Sequence, residues 1–315
     1  METELVPLSL LFSQRGLPCS HSPALTLLPC CLCQSVGVFV ADTDHNNVTD
    51  EYDWYFCSGA AVGPHQILTA AHCLWDRTTN DWRNMTGVRF CLGLNDAVYN
   101  CEYSVGTFTS LHVHAQYKNL SNPDHASWDY GLVQTSGSPT SWLSWAAYEP
   151  ANSTASFADN NTIFVVGYHP ADLPGYEMQE FWTTAISFNE DTVRFHDGVT
   201  PGSSGCPVIT FRQDLIELPG PIYVESDYYF LGAVNSWSIC DTNVAGTVDD
   251  QVTYWCTNTL GDNSFLDTSY NVGLTMNNAR ICDVCDWSNS ADRSQVCDMQ
   301  ACGYTTTSTT TTTTL

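Results

Sequence analysis

Short runs of β-branched and aromatic residues, separated by Gly, Asn, Asp and Pro, recur along most of this 315-residue chain. They lie at 36–40, 66–70, 87–93, 109–117, 162–169, 184–188, 207–211, 228–237 and 270–276. Long stretches with the 3.6-residue periodicity of an amphipathic helix are missing from the sequence. The pattern therefore predicts an all-β fold, either a sandwich or a pair of barrels.

The first 34 residues differ in character from the strand-rich region that follows. They contain two apolar stretches, 5–12 and 25–33, but Glu2 and Glu4 precede the first, where a signal peptide is normally basic. We interpret residues 1–34 as a leader, or as a mis-assigned start, rather than as part of the folded domain.

A change in composition near residues 136–160 indicates the connection between two halves. The predicted divisions after the leader are a first half at 35–145, a second half at 146–281, a cysteine-rich tail at 282–303 and a threonine-rich segment at 304–315. The threonine run has low complexity and cannot build a packed core, so we expect it to be O-glycosylated or disordered.

The charge of the chain excludes some classes of partner. It has 34 acidic and 9 basic residues, for a net charge of −25. Such a surface repels nucleic acid and anionic membranes, and no apolar run is long enough for a transmembrane helix. We therefore expect no nucleic-acid partner and no membrane insertion; the acidity indicates either solubility alone or attraction to basic substrates.

Fifteen cysteines indicate an oxidising compartment, in which disulfides form and persist. Five N-glycosylation sequons agree with this, at Asn47, Asn84, Asn119, Asn152 and Asn160. Together they predict a secreted, disulfide-bonded glycoprotein.

The spacing of the other cysteines leaves their pairing open. Cys91 and Cys101 flank a short turn and could staple a hairpin, and we expect one pair among Cys206, Cys240 and Cys256. The tail pattern C-x2-C-x11-C-x4-C would admit a zinc site, although two disulfides suit an oxidising compartment better. Its members are Cys282, Cys285, Cys297 and Cys302.

Two segments suggest nucleophilic catalysis, LTAAHC (68–73) and TPGSSGCP (200–207). A serine hydroxyl such as that of Ser204 needs a base to take its proton, and His72 is the candidate base. Tight glycine turns also present backbone N–H groups to a developing oxyanion. An acid must orient the imidazole, and Asp129 before an apolar run is the candidate, with Asp124 as the alternative.

The segment CSGAAVGPHQILTAAHC (57–73) resembles the histidine segment of chymotrypsin-fold serine proteases, and the resemblance extends over about residues 35–281. It implies two six-stranded antiparallel β-barrels with the active site in the cleft between them. It also implies a disulfide between Cys57 and Cys73, and an oxyanion hole formed by the N–H groups of Gly202 and Ser204. The order His72, Asp129, Ser204 is the order of that fold.

The second half resembles the V8-like glutamyl endopeptidase branch, on residues 167–174, 195–208 and 270–276. Ser203 stands where digestive members of the family have the aspartate that pairs with a new amino terminus, so that activation switch is not expected.

The resemblance also implies where the side chain before the scissile bond is bound. It gives the pocket residues as Val199, Thr200, Val234, Asn235 and Ser236. Glutamate-specific relatives carry a histidine where this chain has Val234 or Asn235, so glutamate preference does not follow. Asp197 would serve a basic-specific pocket if its loop were one residue longer, and His196 lies nearby.

The resemblance implies a monomeric serine endopeptidase that acts on proteins or peptides and needs no metal or organic cofactor. Since His72 must be neutral to act as a base, we expect activity to rise with pH through about pH 6–7. The alternatives are a catalytically silent homologue that acts as a secreted binding module, and a β-rich adhesion or lectin-like protein.

Overall fold

The fold was obtained as a computed structural model, and two antiparallel sheets, one from each half of the chain, dominate it. The structure describes residues 35–41, 54–95, 100–139, 142–145, 162–168, 178–188, 191–195, 202–218, 222–239, 270–289, 291–293, 297 and 302–303. The predicted leader, the threonine-rich segment and residues 196–201 lie outside these residues.

The first sheet has seven strands in the order β7-β6-β1-β2-β3-β9-β8. These are β1 (Val36–Ala41), β2 (Trp54–Gly63), β3 (Gln66–Thr69), β6 (Val88–Asn95), β7 (Asn100–Ser104), β8 (Phe108–Val113) and β9 (Gly131–Thr135). Every pairing within this curled sheet is antiparallel. A separate hairpin of β4 (Trp75–Asp76) and β5 (Asp81–Trp82) projects after β3.

The second sheet has seven strands in the order β10-β15-β14-β11-β12-β13-β16. These are β10 (Ser144–Trp145), β11 (Thr162–Tyr168), β12 (Met178–Phe188), β13 (Thr192–Phe195), β14 (Pro207–Leu218), β15 (Ile222–Ile239) and β16 (Tyr270–Thr275). Because β15 also pairs with β16, six of these strands close into an antiparallel barrel. The short β10 joins it in parallel with β15.

Alternate residues of the central strands supply different cores, as the two-residue period of a strand requires. Phe39 packs inside the first sheet with Phe90, while its neighbour Val38 faces a core shared by both halves. In the second sheet, Val165 faces the barrel interior and Phe164 faces the shared core. These strands are buried on both faces, which explains their continuous apolar runs. The predicted all-β fold in two halves is confirmed.

Two short helices depart from the strand pattern. The run 109–117 was expected to be one strand, but β8 ends at Val113 and helix α1 (Ala115–Lys118) follows. The chain turns because the His114 side chain accepts a hydrogen bond from the Gln116 N–H and caps the helix. Helix α2 (Asn278–Trp287) was not predicted, because its buried face includes Arg280 and Cys285 beside two aliphatic residues.

Candidate active site

His72 lies on a single 3-10 turn, Ala71–Cys73, directly after β3. Cys73 is disulfide-bonded to Cys57 of β2, which fixes the turn against the sheet. On the solvent side, Arg83 Nε donates a 2.7 Å hydrogen bond to the carbonyl oxygen of His72. The backbone of the candidate base is thus held from two directions.

Asp129 lies just before β9 and is 4% exposed. Its Oδ2 is 2.7 Å from His72 Nδ1, and its Oδ1 accepts a 2.8 Å hydrogen bond from the His72 backbone N–H. The carboxylate therefore orients both the ring and the main chain of the histidine. Because the carboxylate occupies Nδ1, any proton transfer by this ring would use the other nitrogen, Nε2.

A third group reaches the same carboxylate from the second half. The hydroxyl of Ser236, on β15, donates a short hydrogen bond to Asp129 Oδ2. Burial alone raises the pKa of the Asp129 carboxyl, but the charge of the His72 ring and the hydrogen bonds from His72 and Ser236 outweigh it. The pKa of Asp129 therefore lies below its ordinary value, and the group is a carboxylate at neutral pH.

The alternative acid, Asp124, lies elsewhere. It is exposed, and its Oδ1 accepts a 2.7 Å hydrogen bond from Ser127 Oγ at the start of the 3-10 turn His125–Trp128. Asp129, rather than Asp124, is the acid in contact with His72.

The turn that carries Ser204 docks beside the histidine turn. The Ser204 carbonyl accepts a 2.8 Å hydrogen bond from the Ser58 N–H and lies 3.9 Å from Cys73 Sγ, one residue beyond His72. Gly205, with φ +84°, allows this approach: a Cβ there would lie 2.2 Å from both Ser58 O and Thr69 Oγ1. The glycine after the serine therefore permits contact between the halves.

Asn235 holds the same turn from within the second half. Its Nδ2 donates to the Ser203 carbonyl at 3.2 Å, and its backbone N–H and C=O bond Cys206 and Gly205. Of the predicted pocket residues, Val234, Asn235 and Ser236 are buried. Asn235 bonds the serine turn and Ser236 bonds Asp129. The remaining ones, together with His196 and Asp197, lie outside the described residues.

Cys206 comes directly after the serine turn, but its thiol is not a second candidate nucleophile. It is fully buried and carries a free thiol, so the expected pair within the second half does not involve it. Burial raises the pKa of this thiol to about 12, against smaller opposing effects of hydrogen bonds with Ser58 and Tyr168. It is therefore protonated at neutral pH and is not a nucleophile. Cys240 and Cys256 lie outside the residues whose side chains are described.

Arg280 of α2 supports the segment that carries the acid, and sequence reasoning missed it. Its guanidinium donates to three backbone carbonyls, those of Ser127 (2.9 Å), Asp191 (2.7 Å) and Thr275 (2.6 Å). This buried side chain ties the end of the barrel to the turn that leads into Asp129. No local motif marks such a role, because the partners lie up to 153 residues away.

Tyr130, next to the acid, is also held by α2. Its hydroxyl donates a short hydrogen bond to Asp283, and its ring centroid lies 5.7 Å from that of Trp287. Disulfides fasten the tail after α2, as an oxidising compartment favoured, so its four cysteines do not form the zinc site that their spacing admitted. These disulfides join Cys282 to Cys302 and Cys285 to Cys297, and a further disulfide joins Cys91 to Cys101.

The sequence matches the family model described as Trypsin over residues 39–242. Among curated proteins, the chain is 26% identical over 101 residues to a protein named "Extracellular metalloprotease" from Bacillus subtilis (strain 168). That match spans 32% of this chain and 30% of the Bacillus protein.

Two solved structures are similar at low sequence identity. One is a Glu endopeptidase in complex with MPD, 13% identical, with a TM-score of 0.49, covering 81% of this chain and 89% of that one. The other is the Vibrio cholerae VesB protease, 16% identical, with a TM-score of 0.46, covering 80% of this chain and 62% of that one.

The name of the Bacillus protein raises the question of a metal. Within the described residues, one cluster of His, Cys or acidic side chains is tight enough to share an ion, and it consists of Cys57, His72 and Cys73. Both sulfurs are joined in a disulfide, so the cluster offers a single nitrogen, whereas catalytic zinc takes three protein ligands. These residues do not fit a catalytic metal. None of the described helices is both long and apolar enough to span a bilayer.

Proposed function

The chain belongs to the trypsin family of proteases, and from this premise we propose that it is a serine endopeptidase with the triad Ser204, His72 and Asp129. The observation that carries the proposal is the His72–Asp129 pair, joined at 2.7 Å with its acid buried, beside the turn that bears Ser204. A serine, a base and an orienting acid are the three groups that acyl transfer to a hydroxyl requires.

In the proposed mechanism, His72 takes the proton of Ser204 as the serine oxygen attacks the carbonyl carbon of the scissile peptide. The protonated ring then gives this proton to the leaving amine, which departs with the C-terminal part of the substrate. Water, deprotonated by His72, attacks the acyl-enzyme in turn and regenerates the serine. Asp129 holds the ring in one tautomer and stabilises its charged form.

The negative charge that develops on the substrate oxygen needs fixed donors. We assign this role to the backbone N–H groups of Gly202 and Ser204. Gly202 has φ +101°, a conformation that glycine adopts without strain, and Asn235 fixes the peptide plane that contains the Ser204 N–H by bonding the Ser203 carbonyl. Donors held in this way lower the barrier because they need no reorganisation during the reaction.

The substrates of a protease are proteins or peptides, and the preference at the scissile bond is left to experiment. Likeness to the V8-like branch, secretion, glycosylation and a monomeric state are further parts of the proposal. The disulfides support an oxidising compartment.

Cleavage of a proteome-derived peptide library tests the proposal. Wild-type protein should cut the library, Ser204→Ala should not, and a chelator should leave the wild-type rate unchanged. Loss of activity with the chelator, or retention of activity in Ser204→Ala, would overturn the serine mechanism. Peptide binding without cleavage would support the silent homologue instead.

A further inference from the structure

Ser58 connects the two halves at the point where the nucleophile turn docks. It follows Cys57 on β2 and is fully buried. Its backbone N–H donates to the Ser204 carbonyl at 2.8 Å, and its own carbonyl accepts a 2.8 Å hydrogen bond from Thr69 Oγ1. Its hydroxyl is therefore placed rigidly against the second half.

The direction of each hydrogen bond of this hydroxyl follows from its partners. The Tyr168 backbone N–H, at 3.0 Å, can only donate, so Ser58 Oγ accepts from it. The Gly202 carbonyl, at 3.1 Å, can only accept, so the Ser58 proton points to Gly202. The Cys206 thiol also lies against this hydroxyl, but sulfur is a weak acceptor, and the carbonyl is the better partner.

Gly202 needs such an anchor more than other residues do. It has no side chain and φ +101°, so rotation of its two flanking peptide planes meets little steric resistance. A rotated plane would turn a carbonyl oxygen, rather than an N–H, towards the substrate oxygen. The Gly202 N–H belongs to the plane before its Cα, whereas the Gly202 carbonyl belongs to the plane after it. Holding this carbonyl anchors the Cα of Gly202, so rotation about the N–Cα bond is the motion left by which the N–H could turn away.

We propose that the Ser58 hydroxyl is a positioning group for the oxyanion hole, which anchors the Cα of Gly202 and thereby limits how far the N–H of this residue can turn away from the substrate. The inference rests on the proposed function. Ser58 and Asn235 then act on different peptide planes, because the first restrains the plane after Gly202 and the second restrains the plane before Ser204. Neither touches the substrate.

A merely structural hydroxyl would have a different signature. If Ser58 served only to satisfy the Tyr168 N–H, its removal would lower the free energy of unfolding without changing catalysis by the folded protein. If it positions the oxyanion hole, its removal lowers kcat and leaves KM nearly unchanged, because the oxyanion forms only in the transition state.

The test compares Ser58→Ala with Thr135→Val, which removes a buried hydroxyl hydrogen bond, to the Gly137 carbonyl, at the end of β9 that is remote from Asp129. Steady-state rates are measured below the unfolding transition, on concentrations of folded protein fixed by its unfolding signal. We expect Ser58→Ala to lower kcat about 10- to 100-fold, within the range for an impaired oxyanion donor, with KM changed by less than about threefold. Thr135→Val should keep kcat within about threefold of wild type.

Affinity for a peptidyl trifluoromethyl ketone, which forms a tetrahedral adduct with the serine, gives a second measurement. It should weaken in Ser58→Ala by about the factor lost in kcat. Ser58→Thr keeps the hydroxyl and should retain most of kcat in its folded fraction, which serves as the readout if Ser58→Ala does not fold.

Unchanged kcat in folded Ser58→Ala, or an equal loss in Thr135→Val or Ser58→Thr, would overturn the assignment. Failure of the proposed function is a different result, because wild type itself would then neither cleave peptides nor bind the ketone.

Discussion

In the first half of the molecule, the candidate base and acid are held by hydrogen bonds of a side chain. In the second half, the candidate nucleophile is held through the backbone of the turn that carries it. His72, on the turn after β3, and Asp129, just before β9, meet through two hydrogen bonds of the carboxylate. Ser204 sits on a glycine turn whose carbonyls are bonded by Ser58 across the interface and by Asn235 from β15.

This difference indicates what each half contributes. The base and the acid both come from the first half; Ser236 adds one hydroxyl to the acid, and Arg280 of α2 holds the segment before it. The nucleophile turn depends on contact between the halves, because Gly205 packs directly on Ser58 and Thr69. Changes in the first half should therefore disable proton transfer, and changes at the interface should disturb alignment.

Asp129→Asn should give the largest loss among these predictions. It leaves the shape of the pair but removes the charge that orients the His72 ring, so kcat should fall about 10⁴-fold. The matched control is Asp124→Asn, an exposed acid outside the pair, which should stay within about twofold of wild type. Steady-state kinetics with one cleavable peptide would measure kcat of both variants. An equal loss of kcat in Asp124→Asn would contradict the assignment of Asp129 to the triad.

Ser236→Ala tests whether the acid needs the second half. The lost hydrogen bond to a charged group is worth on the order of 1.5–3 kcal/mol, and we expect about a 10-fold lower kcat.

The same variant should also unfold at a higher pH. In wild type the folded pKa of Asp129 lies below its ordinary value, so the carboxylate stabilises the fold above that ordinary value, and this stability is lost as pH falls through the folded pKa. Without Ser236 the folded pKa rises towards its ordinary value, so the carboxylate stabilises the fold less and the protein unfolds at a higher pH on acidification. Acid unfolding followed by tryptophan fluorescence measures this, and an unchanged midpoint would show that Asp129 does not need the hydroxyl.

Arg280→Ala should have the smallest effect on catalysis and a clear effect on stability. Three backbone carbonyls lose their donor, and each unsatisfied group costs about 1–3 kcal/mol where no water replaces it. We expect the free energy of unfolding to fall by about 3 kcal/mol, while kcat of the folded protein stays within about 10-fold. Arg280→Lys keeps the charge but lacks the planar guanidinium with its several N–H donors. In denaturant titrations it should restore less than half of the lost free energy of unfolding. A larger loss of kcat than in Ser236→Ala would show that α2 acts on the chemistry directly.

The sequence predicted the parts of this molecule that local patterns determine. Strands such as β1 and β11 followed from continuous β-branched runs, and His72 and Ser204 stood in recognisable short segments. The end of β8 was missed because the cap that turns the chain is a histidine side chain, which is an uncommon signal.

Contacts between distant segments could not be predicted in this way. Ser58 and Gly202 are 144 residues apart, and Arg280 and Ser127 are 153 apart. Their roles arise only when the halves dock, and a single serine or arginine carries no periodic pattern. The pocket residues Asn235 and Ser236 illustrate the same limit. The sequence predicted the strand that carries them, but not their hydrogen bonds to Ser203 and Asp129.

Labelling with a fluorophosphonate, followed by intact mass measurement and peptide mapping, tests the central claim most directly. Wild type should gain one adduct per molecule, located on Ser204, because only an activated serine reacts with this probe. Asp129→Asn should react far more slowly, and Ser204→Ala should not react at all. Folded wild type that stays unlabelled, or an adduct that persists in Ser204→Ala, would contradict the assignment of Ser204 as the nucleophile.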